Sequence, residues 1–318
     1  VHAVARRDVS PDDLLTQALA GQRSSLARLL SLVERGGEPA RAIGRRTHAL
    51  GGIAYTVGLT GAPGAGKSTL TSAFVAELRA TGERVAVLAI DPSSPFTGGA
   101  ILGDRVRMGD HVLDDGVFIR SMATRGHLGG LSLAAPEAVR VLDAVGYPWV
   151  LVETVGVGQV EVEVAGEADT TVVVVNPGWG DAVQANKAGL MEIADIFVIN
   201  KADRPGASEA QRDLEQMMDL SSLGGWRPPV LETVASDGRG IAELVAAVRD
   251  HRAHVEQTGE LATRRQARLT AELQRILAER LLARARAVAE TPSFEGVVAD
   301  VVARRIDPWT ATDQLLGE

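Results

Sequence analysis

The 318-residue chain contains no cysteine, which removes disulfides, iron–sulfur clusters and thiolate metal sites together. Aromatic residues make up only 3%, so a core has to be assembled from Ala, Val, Leu and Ile. Lysine is nearly missing: of 33 basic residues only Lys67, Lys187 and Lys201 are lysines. A coding bias that writes arginine wherever either residue serves explains the depletion. It also marks the survivors, because a compact ammonium and a planar guanidinium are not equivalent at a tight site. A long apolar span is missing too. The longest charge-free stretch, Thr47 to Gly66, carries six glycines and Pro63 and reads as turns rather than a membrane helix. Arg6, Arg7 and Asp8 have no apolar run behind them, so no signal peptide is expected and a soluble cytoplasmic protein is the default. The net charge of -8 argues against nucleic-acid or anionic-membrane partners.

What is present is a globular composition, 45% hydrophobic and 23% charged, at a length that suggests about two domains. Residues 1–50 read as an N-terminal helical segment. Ser10 precedes Pro11 as a capping residue, Leu14, Leu15, Ala18 and Leu19 follow, and a second helix carries Leu26, Leu29, Leu30 and Val33 before Gly36-Gly37 stops it. Residues 51–251 change to short apolar runs separated by helix-length connections. The runs are Tyr55–Thr60, Val85–Ile90, Val117–Ser121, Trp149–Glu153, Thr171–Asn176, Ile196–Asn200 and Val230–Ala235. Most are continuous in hydrophobicity, which predicts an α/β fold with a doubly wound, mainly parallel sheet buried on both faces. Residues 252–318 return to helix. Leu261, Leu269, Leu273, Ile276, Leu277 and Leu281 form a stripe, Thr291-Pro292-Ser293 breaks it, and a short helix near 294–305 follows. Such an arm is too thin to bury a core alone and should pack on the α/β domain or pair with another subunit. Its arginines, balanced by Glu256, Glu260, Glu272 and Glu279, read as a solvated face.

The strongest local signal is Gly61-Ala62-Pro63-Gly64-Ala65-Gly66-Lys67-Ser68, a G-x-x-x-x-G-K-S loop between a strand and a helix. The glycines let backbone N–H groups turn inward around phosphates, and the helix N-terminus adds partial positive charge. Lys67 would reach the β and γ phosphates and the Ser68 hydroxyl would coordinate Mg²⁺. Asn200-Lys201-Ala202-Asp203 follows the apolar run at 196–199 and reads as a guanine reader. The Asp203 carboxylate accepts from the ring N–H and exocyclic amine of guanine, and adenine would leave it unpaired. Lys201 should lay its stem over the base, and Ala235 is the expected backbone donor to the base carbonyl. Glu153-Thr154-Val155-Gly156 stands where GTPases usually carry D-x-x-G. Glu153 would serve the metal through water and Gly156 would sense the γ-phosphate. No glutamine follows Gly156 directly, the next residue being Val157, so slow intrinsic hydrolysis is expected. Lys187, after Asn176-Pro177-Gly178-Trp179-Gly180-Asp181, is the lysine that phosphate and base leave unexplained.

Gly61–Thr69, Asp91-Pro-Ser-Ser-Pro-Phe-Thr-Gly-Gly99 with Leu102-Gly-Asp104-Arg105, Glu153–Gln159, Asn176–Lys187 and Ala194–Asp203 together resemble the MeaB/ArgK-type GTPases. These are the methylmalonyl-CoA mutase-associated proteins of the SIMIBI class. The resemblance implies a homodimeric GTPase chaperone, using GTP/GDP and Mg²⁺, that gates adenosylcobalamin delivery to methylmalonyl-CoA mutase and protects it; adenosylcobalamin enters only through the partner. It implies that Asp91 to Asp104 is switch I, with Asp91 and Asp104 at the metal, and that Glu153 to Gln159 is switch II. The loop Gly178 to Lys187 would carry Asp181 and Lys187 into partner-stimulated hydrolysis, and the C-terminal helices would form a dimer arm. Thr69 joins the nucleotide contacts on the same ground. Val234 departs from the family, where Ser commonly precedes the base-contacting Ala. A related B₁₂-dependent acyl-CoA mutase is an equal candidate for the partner.

Competing readings use the same fold. A metal-insertion GTPase of hydrogenase or urease maturation would be expected to supply Cys and His ligands, and here only His251 and His254 are one helical turn apart. A transport-associated ATPase or kinase conflicts with Asn200–Asp203. A scaffold that binds nucleotide without hydrolysing it is compatible with the missing glutamine.

Overall fold

Every apolar run forms a strand: β1 (Tyr55–Gly61), β2 (Val85–Pro92), β3 (Val117–Thr124), β4 (Trp149–Thr154), β5 (Thr170–Val175), β6 (Ile196–Asn200) and β7 (Val230–Thr233). The computed structural model describes residues 9–92, 109–111, 113–124, 130–154, 168–178, 192–219 and 225–317. The strands make one sheet in the order β3-β2-β4-β1-β5-β6-β7, and all its pairings are parallel. β1 lies at the centre between β4 and β5. The loop after β1 therefore opens where connections diverge to either side, the position at which such sheets bind ligands.

The continuous hydrophobicity has a direct cause. Helices α4 (Lys67–Ala80) and α7 (Ile241–Gln257) cover one face, meeting Val57, Leu59, Trp149, Leu151, Val172 and Val174. The opposite face, with Ala86, Leu88, Val150 and Val152, is covered by α5 (Gly130–Ala144) and by N-terminal helices α1 (Pro11–Leu19), α2 (Arg23–Arg35) and α3 (Gly37–Thr47). Helix α6 (Ala207–Asp219) packs Ala210 and Leu214 on Val173, Val175, Phe197 and Ile199. Alternate residues of one strand thus enter different cores, and both must be apolar. The sequence reading stopped α2 at Gly36-Gly37 without resolving α3. Gly36 at φ 73° turns the chain directly from one helix into the next.

The chain divides into two compact units, one ending at Arg265 and one beginning at Gln266. Helix α8 (Glu260–Ala289) starts in the first. The second continues α8 and adds α9 (Pro292–Val302) and α10 (Pro308–Leu316). Asp307 caps α10 by accepting from the amides of Trp309 (2.9 Å) and Thr310 (3.2 Å), an Asp-Pro start signal that the sequence reading did not use. On α8, Leu269, Leu273, Leu277 and Leu281 are 49%, 67%, 56% and 54% exposed; of the other two residues of the stripe read from the sequence, Ile276 is half-buried and Leu261 packs against the core of the α/β unit.

The amino edge of the sheet carries buried charge. Asp169 and Asp195 directly precede β5 and β6 and are buried. Consecutive arginines in the first turns of α8 take one each: Arg265 Nη2 lies 2.6 Å from Asp169 Oδ2 and Arg264 Nη1 lies 2.9 Å from Asp195 Oδ1. Arg265 also donates to Ala54 O (2.8 Å), and the amides of Thr56 (3.0 Å) and Thr171 (2.8 Å) donate to the two carboxylates. Fully buried His251 joins them, with Nε2 3.2 Å from Asp195 Oδ1 and Nδ1 2.8 Å from Thr170 Oγ1, which in turn is 2.7 Å from Tyr55 Oη. Burial pushes the Tyr55 phenol up to about 12, so it keeps its proton and can donate to Thr170. Both His251 nitrogens thereby face a polar neighbour, and Trp226 meets the His251 ring edge-on and the His254 ring at a tilt, with centroids 5.0 and 5.1 Å apart. The histidine pair weighed as a metal site is a packing cluster.

Candidate nucleotide-binding site

At the carboxyl edge, the turn after β1 needs glycine for a steric reason. Gly61 has φ 132°, and a Cβ there would lie 1.9 Å from Val174 O on the neighbouring strand, so no other residue fits. Gly66, left-handed at φ 91°, starts α4, which opens with Lys67 and Ser68. Thr69 is exposed in the first turn and Ala65 is buried beneath the loop. The Lys67 side chain is buried and its Nζ donates to Gly61 O (2.7 Å) and Ala62 O (3.2 Å). The ammonium thus sits inside the loop whose backbone would surround phosphates.

Ser68 Oγ donates to Glu153 Oε1 at 2.6 Å, and both residues are buried. Parallel pairing sets Glu153 beside Leu59 of β1 and Ala89 of β2, which brings it over the helix start. Thr154 Oγ1 donates to Leu59 O (3.3 Å) and secures that strand end. The donor set fits Mg²⁺, a hard cation that takes carboxylate and hydroxyl oxygen. With its proton directed to Glu153, the Ser68 oxygen keeps its lone pairs for a metal. The longer Glu in place of the usual Asp spans this distance. Asp91 is the penultimate residue of β2, where its backbone pairs with Ala123. Its side chain lies outside the described residues, as do Asp104, Gly156, Asp181 and Lys187. Among the described residues no group of three or more acidic or His side chains is placed to hold a metal.

Asn200, Lys201 and Asp203 follow β6, but they divide the work differently from the sequence expectation. Asn200 is buried. Its Nδ2 donates to Ala65 O (2.8 Å), while Oδ1 accepts from Thr233 Oγ1 (3.1 Å) and the Ala235 amide (3.1 Å). Two donors on Oδ1 and one acceptor at Nδ2 fix the amide's orientation. Asn200 therefore ties the phosphate loop to the loop after β7. The Ala235 amide, expected to serve a base carbonyl, is given to Asn200. Lys201 holds a left-handed backbone, φ 60°, and its Nζ donates to Gly64 O (2.5 Å), laying its stem along the loop. Asp203 is exposed, two residues after Lys201. Thr233 escaped the sequence reading; its one signal was a polar residue at the end of a short strand, two positions before Ala235.

Residues 26–290 match the family model described as methylmalonyl Co-A mutase-associated GTPase MeaB. A relative from Pyrococcus abyssi is 50% identical over 311 residues, 96% of each chain. The Mus musculus protein named methylmalonic aciduria type A homolog, mitochondrial, is 37% identical over 290 residues, 85% of this chain and 70% of its own. The crystal structure of a LAO/AO transport system kinase matches with a TM-score of 0.72 at 27% identity, covering 98% of both chains. With the phosphate loop, the Ser68–Glu153 pair and the Asn200 brace meeting at one sheet edge, and with the match spanning most of the chain, this protein belongs to the MeaB family of P-loop GTPases.

Proposed function

We propose that this GTPase gates the loading of adenosylcobalamin into methylmalonyl-CoA mutase, or into a related B₁₂-dependent acyl-CoA mutase, and protects the loaded enzyme. The observation that carries the reading is the joining of the Asn200-braced phosphate loop to a family described by its mutase association. The name of the mouse relative points the same way.

Catalysis in this reading is positioning and charge neutralisation. Lys67 exchanges its loop carbonyls for the β and γ phosphates. Glu153 holds the Ser68 proton and keeps the hydroxyl oxygen turned toward Mg²⁺, which supplies charge neutralisation when bound; Asp91 and Asp104 complete that set. Thr69 and the loop Gly61–Gly66 contribute backbone contacts, Gly156 senses the γ-phosphate, and Asp203 selects guanine. The residue directly after Gly156 is Val157 rather than a glutamine, so turnover is slow until a partner supplies or orders charge, with Asp181 and Lys187 the residues that respond. Two copies pair through the exposed α8 stripe: four leucines, each about half exposed or more, exceed what an isolated helix usually leaves to water.

Two measurements test this. Immobilised protein loaded with GDP, GTP or a non-hydrolysable analogue should retain a B₁₂-dependent mutase in a nucleotide-dependent manner; retention that ignores nucleotide refutes gating. GTP should displace labelled nucleotide far better than ATP, and equal competition returns the protein to the transport-kinase reading carried by the name of its structural neighbour.

A further inference from the structure

Thr233 ends β7 and is fully buried, and it holds the chain on both sides of Lys201. Parallel pairing sets it opposite Asn200. Its hydroxyl donates to Asn200 Oδ1 at 3.1 Å, an oxygen that can only accept, and its carbonyl accepts from the Ala202 amide at 3.1 Å. One residue thus fixes a side chain before Lys201 and a backbone group after it. Lys201, caught between the two, takes φ 60°, a left-handed backbone that L-residues rarely adopt. The Arg204 amide donates to Lys201 O at 3.0 Å, which closes a four-residue turn with Ala202 and Asp203 at its centre. On the far side of Thr233, Gly240 at φ 78° lets the loop after β7 return closely: a Cβ there would lie 2.2 Å from Glu232 O and 3.1 Å from Thr233 Cγ2.

Valine has the same β-branched shape and would fill this buried strand end equally well. What threonine adds is one donor, and that donor is spent on Asn200. We infer that Thr233 is a positioning residue for guanine recognition: by holding Asn200 and Ala202 it fixes the turn that aims Asp203 at the edge of the base. Without the hydroxyl, Asn200 Oδ1 keeps the Ala235 amide alone, and the end of β6 is held by one bond fewer. Asp203 is the residue directly after the anchored Ala202, so a shift there reaches the carboxylate before it reaches the phosphate loop. Thr233 itself touches no ligand in this scheme. The inference rests on the reading of Asp203 as the carboxylate that accepts from the ring N–H and exocyclic amine of guanine.

The test is the ratio of the dissociation constants of inosine diphosphate and GDP, measured by competition with fluorescent GDP in EDTA, where no turnover is read. Inosine keeps the phosphates, the sugar and the ring N–H but lacks the exocyclic amine, so the ratio follows the placement of Asp203 rather than the phosphate loop. Thr233→Val keeps the shape and the backbone bond to Ala202 and deletes the donor. It should weaken GDP roughly three- to tenfold, the loss of about one hydrogen bond, and inosine diphosphate by less than about twofold, so that the ratio narrows. Thr233→Ser retains the donor and should return both constants to within about twofold of wild type. Thr233→Ala also deletes the donor and takes the place of valine if that variant does not fold. Unchanged GDP affinity in the valine variant, or in the alanine variant where it replaces it, overturns the inference. So does an equal loss for both nucleotides, which is what a merely structural threonine would give, and so does a serine that fails to rescue. A wild-type protein that binds ADP or inosine diphosphate as tightly as GDP overturns the guanine reading itself, and the inference with it.

Discussion

The two edges of the sheet bury similar chemistry for different ends. At the amino edge, Asp169 and Asp195 are met by guanidinium groups from Arg265 and Arg264, which lie far off in sequence, and by strand amides. Every contact there is made by the protein to itself. At the carboxyl edge, Lys67 and Lys201 rest on loop carbonyls, and Ser68 and Glu153 share one proton. Under the proposed function those contacts are the ones exchanged for phosphate and metal. A buried charge held by an opposite fixed charge acts as a rivet; one held by backbone carbonyls is available for a ligand. Buried charged side chains at both edges look alike until their partners are named.

Removing a rivet should have the largest effect. Asp195→Ala leaves Arg264 and His251 without their carboxylate and should cost about 3–5 kcal/mol of unfolding free energy, the range for one partner lost from a buried pair. Denaturant unfolding measures it. A loss below about 1 kcal/mol would mean that the amino edge is no rivet. Lys67→Ala should give the opposite pattern. Single-turnover GTP hydrolysis should fall about 10²–10³-fold, as when one fixed donor to a transition-state oxyanion is removed, with the unfolding midpoint nearly unchanged. A large stability loss in that variant would erase the distinction between the edges.

Asn200 belongs to the site yet is held like a rivet, so Asn200→Ala tests whether the categories overlap. It strands Ala65 O, Thr233 Oγ1 and the Ala235 amide. The expected cost is about 1–3 kcal/mol of stability, the penalty for unsatisfied buried polar groups, together with weaker GTP binding. Stability lost without affinity would make Asn200 purely structural.

These edges also differed in how far they could be read from residues alone. Strand positions were legible because both faces are buried and the runs are continuous; seven runs matched seven strands to within three residues at either end. The phosphate loop was legible because its steric demand, a backbone approach at Gly61 that excludes any Cβ, imposes a local motif. The amino edge was invisible for the converse reason. Asp169 and Arg265 are 96 positions apart, and no periodicity records a pair formed by two distant surfaces meeting. Asn200 was found by its motif but assigned to the ligand, since a four-residue string does not reveal that its amide faces Ala65, Thr233 and Ala235. Helix α3 was overlooked because Gly36-Gly37 signals an end equally well whether or not a helix follows.

The smallest effect separates charge from packing at the amino edge. Burial pushes the Asp195 carboxyl up, but the hydrogen bond from His251 and the charges of His251 and Arg264 outweigh it, and the net direction is below the ordinary value. A carboxyl depressed in the folded state contributes stability that is complete above its unfolded pKa of about 3.9 and is lost as pH falls through the lower folded value. Arg264 is partly exposed, with 31% of its side-chain surface accessible, so Arg264→Ala should cost only about 1 kcal/mol near pH 7 after allowance for solvent screening. That cost should hold from pH 7 down to about pH 5 and shrink below about pH 4 as Asp195 takes up a proton. Unfolding of wild type and variant in matched urea series across this range gives the comparison directly. If the cost is the same at the acid end as at neutrality, the arginine holds the edge through its aliphatic stem and its bond to Glu260, and the amino edge is packed rather than charged.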